Sequence, residues 1–221
     1  EAIDDFDTLA KSCDQVEKIQ EDCVLLPGFV DAHTHICFGG SRARDYAMRV
    51  AGKPYLEIAR AGGGILDSVR KTREASLDTL VASATLRASR HLAEGVTTCE
   101  VKSGYGLSVE AELKILEAIQ KVNNTHAIDI VPTCLAAHMR APEYDDSIAY
   151  LNDVLDKLLP EVKARKLANR VDIFVEDTAF SVEEGRHYLN KAKAMGFDIT
   201  IHADQFSTGG SALACEVGAI S

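Results

Sequence analysis

The stretch VLLPGFVDAHTHICFGGSR (residues 24–42) joins an apolar, strand-like run to a His-Thr-His pair. Side chains at positions i and i+2 of a strand point to the same face, so His33 and His35 present two imidazoles on one side. Neutral imidazole is a common ligand for zinc and iron, and Asp31 stands where its carboxylate would orient a ligating ring. The alternative is two partly buried histidines whose ring N–H groups donate hydrogen bonds to backbone carbonyls. Because a polar tip on a buried strand is costly unless it has a task, the stretch predicts a metal-binding strand end.

The composition is that of a soluble globular domain. The chain has 221 residues, of which 46% are hydrophobic and 26% charged. No run approaches the ~18 apolar residues of a membrane span, and a net charge of −10 argues against a nucleic-acid surface. Six cysteines without a C-x-x-C motif indicate a reducing cytoplasm. We therefore expect neither a membrane nor a nucleic acid as a partner.

Strand-like and helix-like runs alternate along the chain. The patterns predict strands at residues 24–36, 96–102, 129–138, 171–176 and 198–203. They predict helices at residues 45–61, 77–94, 109–122, 146–167 and 181–195, each followed or preceded by glycine or a capping residue. Such alternation predicts parallel strands joined by right-handed crossovers.

Polar residues gather at the carboxyl end of every predicted strand. They are His33, His35, Lys102, Tyr105, His138, Glu176, His202 and Asp204. Both (β/α)8 barrels and open doubly wound sheets place their chemistry at these ends. Because the groups are spread over five successive strands instead of one switch point, we favour a barrel. Five strands do not close a barrel, so we expect residues 24–221 to hold its first five or so β/α units, after a lead-in segment at residues 1–23.

A family resemblance rests on seven motifs. PGFVDAHTH resembles the first-strand metal motif of the amidohydrolase superfamily. FGGSR, AGGGI, VKSGYGL, LAAH, APEY and IHAD follow in the order typical of the imidazolonepropionase family of histidine degradation. The resemblance implies an α/β TIM barrel of the amidohydrolase type with one Zn²⁺ or Fe³⁺ ion. It also implies hydrolysis of the cyclic amide 4-imidazolone-5-propanoate to N-formimidoyl-L-glutamate, and we expect a cytoplasmic homodimer.

The resemblance implies a role for seven side chains. Carried over by motif, the metal ligands are His33, His35 and His202, the substrate-binding residues are Arg42, Tyr105, His138 and Gln205, and His202 and Gln205 are catalytic. The substrate carries a propionate, and Arg42 supplies a forked, permanently charged donor in an acidic protein. Gln205 stands where some members have a glutamate, and an amide does not act as a general base. The fourth ligand of the family, an aspartate on the last barrel strand, is expected beyond residue 221.

Simpler interpretations stand beside these roles. Arg42 alone is compatible with a solvated loop arginine, Tyr105 with a packed turn aromatic, and His138 with a strand-end histidine bonded to a carbonyl. Lys102 and Glu176 raise the question of a second metal, because some amidohydrolases bridge two ions with a modified lysine on the fourth strand. Since that strand ends here in Glu176, we expect a mononuclear site with Lys102 as a structural ion-pair partner.

Two other functions compete with the first. One is another amidohydrolase activity, either a heterocycle deaminase or a different cyclic-amide hydrolase. The other is a non-catalytic metal-binding remnant, because Gln205 removes a candidate catalytic carboxylate. An anion clamp at Arg42 and Tyr105 favours a carboxylate-bearing small molecule over an uncharged base.

Overall fold

The computed structural model describes residues 4–17, 19 and 22–221. Its centre is a parallel sheet whose strands follow the chain in consecutive order. The strands are β1 Phe29–Thr34, β2 Val96–Lys102, β3 Asp129–Ala137, β4 Arg170–Val175, β5 Asp198–Ile199 and β6 His202–Ala203. Both β5 and β6 pair with β4, so together they occupy the fifth position. Consecutive parallel strands with helices between them form a segment of a (β/α)8 barrel, which confirms the predicted fold class.

Helices connect the strands. They are α1 Phe6–Ala10, α2 Ala43–Val50, α3 Tyr55–Arg60, α4 Ile65–Glu74, α5 Leu77–Ala93, α6 Val109–Thr125, α7 Ser147–Asp153, α8 Leu159–Ala164, α9 Val182–Ala194 and α10 Gly210–Val217. Serine side chains cap three of them: Ser76 before α5, Ser108 before α6 and Ser181 before α9. Each cap satisfies a backbone N–H that the first helical turn leaves without a partner. No helix in the described part of the chain is long and apolar enough to cross a membrane.

The two faces of β2 have different environments. In β2, Cys99 and Val101 belong to the hydrophobic core that the sheet forms with the helices. Glu100 and Lys102 alternate with them and are also buried, although both are charged. The period of two therefore separates an apolar helix-facing side from a polar inner side, as in a barrel. This inner side positions the candidate site.

The first predicted strand and two predicted helices differ from the structure, and one helix was missed. β1 begins at Phe29, and Val24 and Leu25 before it are 83% and 90% exposed. The predicted helix at residues 45–61 is two helices, α2 and α3, because Gly52 adopts a left-handed φ of 79° that ends the first one, and Pro54 then lacks the N–H that would resume it. The predicted helix at residues 146–167 contains a π-helical turn, Val154–Leu158, between α7 and α8. Helix α4 was missed because its buried face includes Ser68 and Thr72, which hides the apolar period.

The fifth strand is interrupted between β5 and β6. Thr200 still donates its backbone N–H to the Val171 carbonyl, 2.9 Å away. The next ladder position differs, because the N–H of His202 donates to the Asp172 carboxylate at 3.1 Å instead of to a backbone carbonyl. A side chain of β4 thus replaces the ladder bond of the histidine N–H itself, and the predicted strand at residues 198–203 is divided into two short pieces.

Candidate metal centre

Three histidines from the first and last strands of the sheet converge. One ring nitrogen each of His33, His35 and His202 lies within 4.8 Å of the other two. The ring centroids of His33 and His202 are 4.3 Å apart, and the Nε2 atoms of His33 and His35 are 3.3 Å apart. The structure therefore brings together the three residues that the motifs indicated as metal ligands.

The ring nitrogens of this cluster fit a metal ion. Within the described residues, His202 Nε2 is buried and has no hydrogen-bond partner. Orphaned buried nitrogens are costly unless something binds them. Two imidazole nitrogens that share one tetrahedral zinc ion lie about 3.3 Å apart, as His33 and His35 do here. The donor set is imidazole alone, which suits zinc or iron and disfavours calcium and magnesium.

Asp172 orients His202. Its Oδ2 accepts a hydrogen bond from His202 Nδ1 at 2.9 Å, and its Oδ1 accepts the backbone N–H of the same residue. Because Nδ1 donates, Nε2 carries the lone pair and faces the other two histidines. Burial alone would raise the pKa of Asp172, but the hydrogen bond from His202 and the charge of Lys102 hold it well below its usual range. The sequence analysis missed Asp172, whose signal was a charged residue inside an apolar strand.

A buried ion pair network supports this aspartate. Lys102 Nζ lies 2.7 Å from Asp172 Oδ2 and 2.7 Å from Glu100 Oε2, and the side chains of Lys102 and Asp172 are 2% and 1% exposed. Glu100 also accepts a hydrogen bond from Thr133 Oγ1 at 2.6 Å. Lys102 is thus an ion-pair partner, as expected. The expectation for Asp31 was wrong, because its carboxylate accepts the His33 backbone N–H instead of orienting a ligating ring.

Burial keeps the central histidines neutral. It lowers the pKa of His35 to about 2 and that of His138 to about 4. Desolvation, together with the neighbouring His202, also lowers the pKa of His33. Desolvation disfavours the charged imidazolium, and only neutral imidazole has a lone pair for a metal ion. His33 and His35 are therefore in the ligating form at neutral pH, and His138 is neutral beside them.

His138 and Tyr105 form one wall of the centre. The His138 ring stacks on His35 with centroids 5.2 Å apart, and the Tyr105 ring lies 5.5 Å from His138 and 5.8 Å from His35. His138 Nδ1 donates to the Gly104 carbonyl at 3.0 Å, since a carbonyl oxygen only accepts. Its Nε2 consequently carries a lone pair that can accept a hydrogen bond from a ligand.

The remaining predicted residues lie further out. Arg42 precedes α2, and its guanidinium pairs with Asp45 through Nε at 3.1 Å and Nη2 at 3.0 Å. Gln205 is exposed, and its backbone N–H donates to Glu176 Oε1 at 2.6 Å. Glu176 also accepts the N–H groups of the next two residues, so it organises this loop. The substrate roles of Arg42 and Gln205 stay predictions.

Residues 24–215 match the model of the amidohydrolase family. The chain belongs to the amidohydrolase family. An imidazolonepropionase of Streptococcus sanguinis (strain SK36) is 48% identical over 208 residues, which are 92% of this chain and 49% of that protein. One of Bacillus mycoides (strain KBAB4) is 49% identical over 205 residues, which are 90% of this chain and 48% of that protein. The resemblance that the motifs indicated is therefore confirmed.

The structural comparison agrees with the fold. An adenine deaminase of Arthrobacter aurescens superposes with a TM-score of 0.50 at 17% identity, covering 87% of this chain and 62% of that one. At this identity the likeness concerns the barrel alone. The chain spans about half the length of the curated relatives that it matches. A metal ion is common to the amidohydrolase family, and in this member His33, His35 and His202 are the cluster that can hold it.

Proposed function

We propose that this chain supplies the metal centre and part of the substrate site of a hydrolase that converts 4-imidazolone-5-propanoate to N-formimidoyl-L-glutamate. The observation that carries the proposal is the convergence of His33, His35 and His202 beside His138 and Tyr105. The relatives with about half of their residues identical, which are named imidazolonepropionases, support this substrate. A cytoplasmic homodimer is part of the same proposal.

Each residue of the centre has its own role in this proposal. His33, His35 and His202 would hold one Zn²⁺ or Fe³⁺ ion, which when bound polarises a carbonyl and lowers the pKa of a water molecule. His138 Nε2 accepts a ring N–H of the substrate, because its Nδ1 already donates to Gly104. Tyr105 packs against the flat imidazolone ring. These contacts orient a planar cyclic amide over the three histidines.

Arg42 and Gln205 complete the substrate site in this proposal. A guanidinium has five N–H donors, of which Asp45 uses two, so others remain for the propionate of the substrate. Gln205, three residues after His202, donates and accepts hydrogen bonds but does not take up the proton of an attacking water. We therefore assign the Gln205 amide to holding the substrate and stabilising charge in the transition state, and not to general-base catalysis.

Metal removal tests the proposal. We expect the full-length protein to consume 4-imidazolone-5-propanoate, to lose this activity after dialysis against a chelator, and to regain it with one Zn²⁺ or iron ion per chain. Absorbance of the imidazolone follows the reaction, and elemental analysis follows the metal. Adenine, an uncharged heterocycle, serves as the control substrate. Deamination of adenine, or full activity without metal, would contradict the assignment.

A lysine at position 42 tests the anion clamp. Arg42→Lys keeps the charge but loses the planar fork, so kcat/KM for 4-imidazolone-5-propanoate should fall about 10- to 150-fold, as for the loss of a charged hydrogen bond. Arg44→Lys, at an exposed position two residues later in α2, should leave kcat/KM unchanged. Metal content should be unaltered in both variants. Equal kcat/KM values for Arg42→Lys and Arg44→Lys would remove Arg42 from the site.

A further inference from the structure

The loop at residues 103–107 joins β2 to α6 and carries one wall of the metal centre. Tyr105 projects from it beside His35 and His138, and its Gly104 carbonyl accepts the hydrogen bond from His138 Nδ1. The backbone is unusual at two positions, with φ at 108° in Gly104 and at 52° in Leu107. A non-glycine residue rarely adopts positive φ, so other groups must hold this conformation in place.

Glu112 binds the loop through its N–H groups. This side chain lies in the first turn of α6 and is 0% exposed. Its Oε1 accepts the backbone N–H groups of Gly106 at 2.7 Å and Leu107 at 2.9 Å, and its Oε2 accepts that of Gly104 at 2.9 Å. Both oxygens act as acceptors in these three bonds; burial raises the pKa of Glu112, and the hydrogen bonds from Ser103 and from the three backbone N–H groups oppose that shift.

Arg73 binds the same loop through its carbonyl groups. It reaches across from α4, where its Nε donates to the Gly106 carbonyl at 2.6 Å and its Nη2 donates to the Leu107 carbonyl at 3.2 Å. Glu143 forms an ion pair with the guanidinium from the opposite side. A carboxylate and a guanidinium thus hold the N–H and C=O groups of one short segment, and neither contacts His33, His35 or His202 in the described structure.

We propose that Glu112 and Arg73 are positioning residues for the substrate, which act by fixing the loop that bears Tyr105 and orients His138. The proposal rests on the proposed function, because the substrate contacts of Tyr105 and His138 belong to it. The loop has little room to shift: a Cβ on Gly104 would lie 2.8 Å from the Leu135 carbonyl and 3.1 Å from His138 Nδ1. A loosened loop would therefore displace both rings of the wall and leave the three ligands in place.

The test replaces Glu112 by glutamine in the full-length protein. An amide offers one acceptor oxygen, so its NH₂ group must face at least one of the three N–H donors. We expect KM for 4-imidazolone-5-propanoate to rise about 10-fold, kcat to change less than about 3-fold, and metal content to stay the same. Amide hydrogen exchange at Gly104, Gly106 and Leu107 should become at least about 10-fold faster.

Two further variants make the test specific. Glu117→Gln lies on the same helix but removes an ion pair with Arg165, so its KM and loop exchange should match the wild type. Arg73→Met removes the guanidinium that binds the loop carbonyls, from a side chain that is 30% exposed. If Glu112→Gln does not fold, this variant tests the positioning role instead. It should raise both KM and loop exchange.

The outcomes separate the two proposals. Folded variants with an unchanged KM and unchanged loop exchange would overturn the positioning role. A fall in metal content by the same factor as the rise in KM would also overturn the positioning role, because the effect would then lie at the metal ligands. A wild-type protein that does not hydrolyse 4-imidazolone-5-propanoate would overturn the proposed function, while the exchange of the three loop amides would still decide whether Glu112 and Arg73 hold the loop.

Discussion

Replacing Lys102 by methionine should lower the free energy of unfolding by about 3 to 5 kcal/mol, as expected when one partner of a buried ion pair is removed. The ammonium lies between the carboxylates of Glu100 and Asp172, 2.7 Å from each, and is 2% exposed. Methionine fills a similar volume but leaves two buried carboxylates without their shared cation. Urea unfolding of the metal-free protein measures the loss.

Matched variants separate burial from charge. Lys157→Met removes the same side chain from an exposed pair with Asp153, where the Lys157 side chain is 62% exposed, and should cost far less stability than Lys102→Met, because solvent screens the pair. Adding Glu100→Gln to Lys102→Met neutralises one of the two stranded carboxylates, so the double variant should recover part of the loss. Equal costs at positions 102 and 157 would contradict the importance of the buried network.

The sequence predicted the strands and helices whose apolar period is intact. Residues 77–94 and 96–102 correspond within one residue to α5 and β2, because Leu80, Ala84 and Ala88 form a continuous buried stripe. Helix α4 lacks such an apolar stripe, because two of its three buried residues are Ser68 and Thr72. The pattern of hydrophobic residues reports burial, so it does not reveal a helix whose buried face is partly polar.

The metal ligands were also accessible from the sequence, whereas the groups that hold them were not. His33, His35 and His202 stand in motifs at strand ends, where parallel strands bring their side chains together. Asp172 lies 30 residues from His202 and 70 from Lys102, and Glu100 lies 33 residues from Thr133, so the local sequence does not mark these side chains as one network. A buried charge requires a partner, and this requirement was the available signal, but it does not identify which residue the partner is.

Each of three loops around the centre is held by one charged side chain, a feature that only the structure shows. Arg87 donates to the carbonyls of Ile36, Phe38 and Gly40 in the loop after β1. Glu112 accepts from the loop after β2, and Glu176 accepts from the loop after β6. Each charged side chain satisfies several backbone groups of one loop. The barrel therefore fixes its strand-end loops by side chains that do not themselves reach the histidines.

Replacing Asp172 by asparagine should weaken zinc binding about 10- to 100-fold, which is typical of a lost partner behind a ligating histidine. The Asp172 carboxylate accepts His202 Nδ1–H, Lys102 Nζ and the His202 backbone N–H. If the amide NH₂ takes the position of Oδ2, it donates to Nδ1, and the proton of His202 moves to the nitrogen that must ligate. If it takes the position of Oδ1, it opposes the backbone N–H and shifts the strand.

Competition with a chromophoric chelator measures the zinc affinity, and ¹⁵N NMR of the metal-free protein reports which nitrogen of His202 carries the proton. Asp31→Asn is the matched control, because that carboxylate lies two residues before His33 and accepts its backbone N–H at 3.2 Å without contacting its ring. We expect Asp31→Asn to bind zinc within about 3-fold of wild type, since no ligating tautomer depends on it. If both aspartates weakened binding equally, a general loss of negative charge near the cation would explain the effect, and Asp172 would have no specific role in orienting His202.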